Sequence, residues 1–116
     1  GRAVWVVFTA TWCPSCRDDA AAMERFGERY RAAGLTVVAV DVREEPATVQ
    51  AFVTSVDPTF SLVLDGDGST ARRWGALVLP THFFVGSDGI VRGGVLPHDL
   101  VAARLGEILP GVIVTP

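Results

Sequence analysis

Residues 4–8 (VWVVF) form an unbroken β-branched and aromatic run of strand length. After five connecting residues, Pro14 opens a stretch to Ala33 broken only by Gly27. Within that stretch Ala20, Met23, Phe26 and Tyr30 recur at helical spacing, and Gly34 stands where a helix C-cap is expected. A buried strand delivered into a long amphipathic helix points to an α/β layout, because the strand has two apolar faces to cover and the helix one stripe to bury. The pattern then repeats. Residues 35–42 (LTVVAVDV) read as a second buried strand, and Pro46 opens a helix through Val53 with Val49, Phe52 and Val53 as its stripe.

The second half changes rhythm. Residues 61–64 are a short strand closed by Asp65-Gly66-Asp67-Gly68, and Ser69 is placed to cap a short helix to Trp74 that Gly75 ends. Residues 82–85 and 90–95 are strands about the hairpin signal Gly86-Ser87-Asp88-Gly89, and a last helix over 99–109 stops at Pro110-Gly111. The order βαβα, hairpin, helix predicts a mixed central sheet with helices on both faces. No repeat or linker divides it, so residues 1–116 read as one domain. The tail 112–116 is too short to interpret. The opening Gly1-Arg2, without an initiator Met, reads as a processed or trimmed N-terminus.

Composition narrows the chemistry. The net charge is −3 and there is no basic face for phosphates, which argues against a nucleic-acid partner. All ten basic residues are arginine, which removes the phosphate-loop lysine and lysine Schiff-base catalysis. No run approaches the ~18 apolar residues of a membrane helix.

The two cysteines, Cys13 and Cys16, sit where the first strand hands over to the first helix. Residues i and i+3 of a first turn lie ~5–6 Å apart, which suits a disulfide that opens and closes with little backbone movement. Unpaired N–H groups and the positive dipole end stabilise a thiolate at Cys13, making it the nucleophile, with Cys16 one turn deeper as the resolving thiol. Other readings compete. A zinc site needs two more ligands, and His82 and His98 lack the spacing. Haem attachment needs His after the second Cys, where Arg17 stands. A purely structural disulfide closing so short a loop adds little stabilisation.

The segment Val6-Val7-Phe8-Thr9-Ala10-Thr11-Trp12-Cys13-Pro14-Ser15-Cys16-Arg17 resembles the active-site segment of the thioredoxin superfamily, most closely its TlpA/ResA/DsbE-like branch. Residues 37–42 with Glu44, Glu45 and the Pro46 helix resemble the insertion of that branch. Trp74-Gly75, Leu79-Pro80-Thr81-His82-Phe83-Phe84 and Asp88-Gly89 are similar to its downstream landmarks. The resemblance implies a thioredoxin fold and a thiol:disulfide oxidoreductase using the Cys13–Cys16 pair without a further cofactor or metal. Its partners would be protein thiol or disulfide substrates and an upstream electron donor. It would work outside the cytoplasm as a reductase of the cytochrome c maturation kind, with any membrane contact limited to an N-terminal anchor lost from a trimmed chain. A disulfide-forming oxidase or isomerase shares the chemistry, and a redox-silent binding module with the same fold is the rival of another class.

Carried over residue by residue, the resemblance implies a cis Pro80 facing the dithiol, with Leu79 offering backbone to an extended substrate. Trp12, Pro14 and Ser15 complete the substrate-facing set. Thioredoxin's buried Asp on the first strand is replaced by Val7, which transfers no proton. Asp19, three residues after Cys16 on the same helical face, stands where this branch usually has Glu and is expected to take the proton from Cys16, its alternative being a solvated acid. Trp5 and Trp74 read as core, Glu44 and Glu45 as loop acids, and His82 and His98 receive no role.

Overall fold

The computed structural model describes residues 2–116, apart from the side chain of His98. The readings of Gly1 as a trimmed start and of His98 as without a role lie outside the described residues. The elements are β1 (Ala3–Thr9), α1 (Pro14–Tyr30), β2 (Leu35–Val42), α2 (Pro46–Val56), β3 (Ser61–Asp65), α3 (Ser69–Trp74), β4 (Thr81–Val85), β5 (Val91–Gly94), a 3₁₀ turn (His98–Leu100) and α4 (Val101–Ile108).

The five strands form one mixed sheet in the order β3-β2-β1-β4-β5. β1 lies at its centre, parallel to β2 and antiparallel to β4, in a register that sets Thr9 opposite Asp41 and Val7 opposite His82. Alternation along β1 then divides the core. Trp5 and Val7 pack with Met23 and Phe26 of α1, Val37 and Ala39 of β2, and Leu105 of α4. Val6 and Phe8 face the other way, with Val40, Val42 and Ala71 of α3. This is the mixed sheet covered by helices on both faces that the order of elements predicted, and the thioredoxin fold that the resemblance implied.

Several boundaries differ from expectation: α2 runs on to Val56 rather than Val53, β5 is shorter than 90–95, and three ends have a visible cause. α1 ends at Tyr30 rather than Ala33. Its last turn tightens, Ala33 N donating to Tyr30 O at 3.1 Å, and Gly34 closes the following turn at φ 106 instead of capping the helix directly. α3 is capped by Asp65, not Ser69: the buried Asp65 carboxylate accepts from Thr70 N (3.1 Å) and Ala71 N (2.8 Å), while Gly68 takes the left-handed N-cap position. The last helix begins as the 3₁₀ turn before settling into α4.

Candidate active site

β1 ends at Thr9, and a tight turn, Cys13 N donating to Ala10 O at 3.3 Å, brings Cys13 to the N-cap of α1 with extended φ −87 and ψ 117. Pro14 follows at the first helical position, where a missing N–H costs nothing. Cys13 and Cys16 form a disulfide with Cα atoms 5.2 Å apart. Cys16 N–H donates to Cys13 Sγ at 3.3 Å, so an orphan donor of the first helical turn points at that sulfur. Both sulfur-bearing residues are buried, Cys16 the more deeply at 2% exposure against 5% for Cys13.

The rim above the disulfide is open. Trp12 is 64% exposed, and Pro14 and Ser15 are exposed beside it, so these three expected substrate-facing residues lie at the surface. Opposite them the Leu79–Pro80 peptide is cis, and the Leu79 carbonyl oxygen lies 3.9 Å from Cys13 Sγ. Trp12, Arg43, Arg72, Leu77 and Leu79 are among the residues lining a cleft of about 440 Å³ next to this rim.

β1 itself carries no titratable side chain, and its two neighbours each deliver one. On β4, His82 is 1% exposed and its Nε2 lies 3.1 Å from Asp19 Oδ2, while Trp5 Nε1–H donates to His82 Nδ1 at 3.1 Å. A ring nitrogen that accepts from Trp5 carries no proton. The network therefore assigns the ring hydrogen to Nε2, which donates to Asp19. This corrects two expectations: His82 has a partner at the site, and Trp5 is more than packing, holding the tautomer while its ring stacks on His82. Asp19 is buried in α1, not a solvated acid. Sequence offered no signal for this contact because its partners are 63 residues apart and meet only across the folded sheet.

On β2, Asp41 is 2% exposed, and burial, then the neighbouring Glu44 carboxylate, push its carboxyl up to about 8. Burial alone would raise Glu44 as well, but bonds from Asp41 and from Thr11 outweigh it and leave its pKa lowered. Glu44 accepts from Thr11 N (2.6 Å) and Thr11 Oγ1 (2.5 Å), tying the loop that leads into Cys13. The reading of Glu44 as a simple solvated loop acid is thus corrected, whereas Glu45 is exposed as expected. Trp74, expected in the core, is 40% exposed and lies against Phe8 of β1 and Phe83 of β4 on one face of the sheet.

Among the described residues, no group of three or more His, Cys, Asp or Glu side chains is placed to hold a metal ion, and no helix is long and apolar enough to cross a membrane.

Comparison with known proteins places the geometry. The AhpC/TSA family model matches residues 1–93. The thiol-disulfide oxidoreductase ResA of Bacillus thuringiensis subsp. konkukian is 31% identical over 91 residues, covering 78% of this chain and 53% of that protein. ResA of Bacillus subtilis is 28% identical over 114 residues, covering 96% and 64%. The chain thus spans about half to two thirds of the length of these relatives. The crystal structure of a putative thiol:disulfide interchange protein DsbE from Chlorobium tepidum superimposes with a TM-score of 0.86 at 30% identity, covering 95% of this chain and 82% of that one. With its cysteine pair at the mouth of a thioredoxin-type sheet, the chain belongs to the AhpC/TSA family and is similar there to thiol–disulfide oxidoreductases of the ResA and DsbE kind.

Proposed function

We propose that the chain exchanges disulfides with protein substrates, Cys13 attacking and Cys16 resolving, and that it works in the reducing direction outside the cytoplasm, in a role like that of the cytochrome c maturation reductases. The observation that carries this reading is Cys13 at the N-cap of α1, its Sγ accepting from the Cys16 amide beneath an open rim. A helix N-terminus favours the thiolate, and the thiolate is the nucleophile. No further cofactor is part of the reading.

In the proposed cycle the Cys13 thiolate attacks one sulfur of a substrate disulfide, and the electron pair of the broken bond leaves on the other substrate sulfur. Cys16 then attacks Cys13 Sγ, which releases the second substrate thiolate and leaves the chain oxidised. Trp12, Pro14 and Ser15 form one wall for the substrate, and the backbone at Leu79 and Pro80 the other, where an extended segment pairs edge-on. Cys16 is buried, so its thiol resists ionisation and a base assists. Asp19, one turn further along α1, takes that proton, and His82 positions it.

The test uses Cys16→Ser and Asp19→Asn. Cys16→Ser is expected to trap a mixed disulfide with a peptide disulfide, and Asp19→Asn to slow resolution by roughly tenfold or more while sparing the first attack. A Cys16→Ser variant that traps nothing marks a redox-silent binding module. The reduction potential decides direction: near the ~−270 mV of thioredoxin supports a reductase, near the ~−120 mV of DsbA an oxidase.

A further inference from the structure

We propose that Asp41 returns a proton to Cys16 when the Cys13–Cys16 disulfide is reduced, acting across a cavity the size of one water molecule, with Glu44 keeping that proton on Asp41 between turnovers. The inference rests on the thiol–disulfide reading above and adds to it the acid of the opposite half-reaction.

The geometry begins with the cavity. Cys16 and Asp41 line the same narrow, partly open pocket of about 20 Å³, and a single water needs roughly 10–15 Å³. Asp41 is almost fully buried, and its Oδ1 has no hydrogen-bond partner among the described residues. An unpaired carboxyl oxygen in a dry site is costly, and a bridging water toward the sulfur would satisfy it. The charged and titratable groups around Asp41 are few. α1 brings Cys16 and Arg17, and Arg17 Nε is turned to Thr11 O at 3.1 Å. α2 brings the apolar Phe52, β1 brings Thr9, and Asp41's own loop brings Glu44.

The chemistry needs an acid here. A donor thiolate attacks Cys13 Sγ, a new S–S bond forms, and the Cys13–Cys16 bond breaks with its electron pair on Cys16 Sγ. That sulfur is buried, and a buried thiolate is penalised until it is protonated. A second donor thiol then resolves the mixed disulfide and frees Cys13, so the reductant is a dithiol. Asp41 is suited to give the proton, since burial and Glu44 hold its carboxyl protonated up to about pH 8. Asp19 suits the other half-reaction: as the acceptor of His82 Nε2–H its Oδ2 is placed to take a proton rather than to give one. After transfer Asp41 is left as a carboxylate beside a second carboxylate, a repulsion that draws a proton back.

The experiment is stopped-flow reduction of the oxidised full chain by dithiothreitol from pH 6 to 9, with each rate divided by the donor thiolate concentration. In the native chain this normalised rate falls as pH passes about 8. Asp41→Asn is expected to lower it roughly tenfold or more below that pH and to abolish the fall. Glu44→Gln keeps an oxygen for Thr11 but removes the charge, and is expected to move the fall to lower pH. An Asp41→Asn profile that keeps the fall, even at a uniformly lower rate, overturns the proposal. Should Asp41→Asn not fold, an unmoved fall in Glu44→Gln overturns it instead. Failure of the functional reading looks different: Cys16→Ser would trap no mixed disulfide with a peptide, whatever dithiothreitol does.

Discussion

Asp41 and Glu44 hold one proton between them at the end of β2, and that sharing sets a pH window for stability. The Asp41 pKa is raised from the ordinary 3.8 to about 8, so between those values the folded chain holds a proton that the unfolded chain has released. Stability from this group is therefore fully present below about pH 4 and is lost as pH rises toward 8, with a slope of at most about 1.4 kcal/mol per pH unit. Glu44, whose pKa is lowered, acts with the opposite sign and only in the acid range, as pH falls below the usual carboxylate values. Urea unfolding at pH 5, 7 and 9 is expected to show the native chain weakening across the series and Asp41→Asn staying nearly level. Parallel curves for the two would refute the shared proton. Among single residues, legibility tracked sequence distance. Cys13, Cys16 and Asp19 lie within two turns of helix, so the common face of Cys16 and Asp19 could be read directly. Trp5–His82 and Thr11–Glu44 are contacts between distant segments that depend on strand register, and the same register sets Asp41 opposite Thr9, in one pocket lining with Cys16.

The strands and helices were the most legible level because hydrophobic periodicity is local. The runs that begin at Leu35, Pro46 and Ser61 all became elements starting where they were expected. Ends were less legible, because what stops an element is a hydrogen-bond partner rather than a pattern. Asp65 looked like the turn after a strand, and its carboxylate in fact caps α3. The β4–β5 hairpin carries a constraint of the same hidden kind. A Cβ added at Gly93 would lie 2.6 Å from the His82 carbonyl oxygen and closer still to the Phe83 ring, and the first of these is backbone that cannot swing aside. Gly93→Ala is expected to pry β5 from β4 and to lower the thermal midpoint by several degrees, a shift of the order that ~1 kcal/mol gives a domain of this size. Amide exchange in residues 91–94 would rise well above that in β1. Unchanged protection there would show that β4 and β5 yield without cost.

For the whole molecule the mixed sheet and its covering helices were foreseeable, but not the rank of the strands within it. Composition cannot tell that the first strand is the central one, since β1, β2 and β4 are all rich in β-branched or aromatic residues. The order β3-β2-β1-β4-β5 decides it, and with it the direction in which the dithiol looks. β1 enters the sheet at Ala3 and runs for seven residues, roughly 23 Å, straight to the turn that carries Cys13. Anything joined ahead of Arg2 leaves from the opposite pole of the molecule, so a leash there holds the protein by its heel with the reactive sulfurs facing outward. Chains immobilised through the N-terminus are therefore expected to reduce a large protein disulfide as fast, per molecule, as free chains. Chains fixed through an introduced cysteine-free tag reaction at Ser15 would be silenced, and equal loss by both routes would contradict the polarity that β1 imposes.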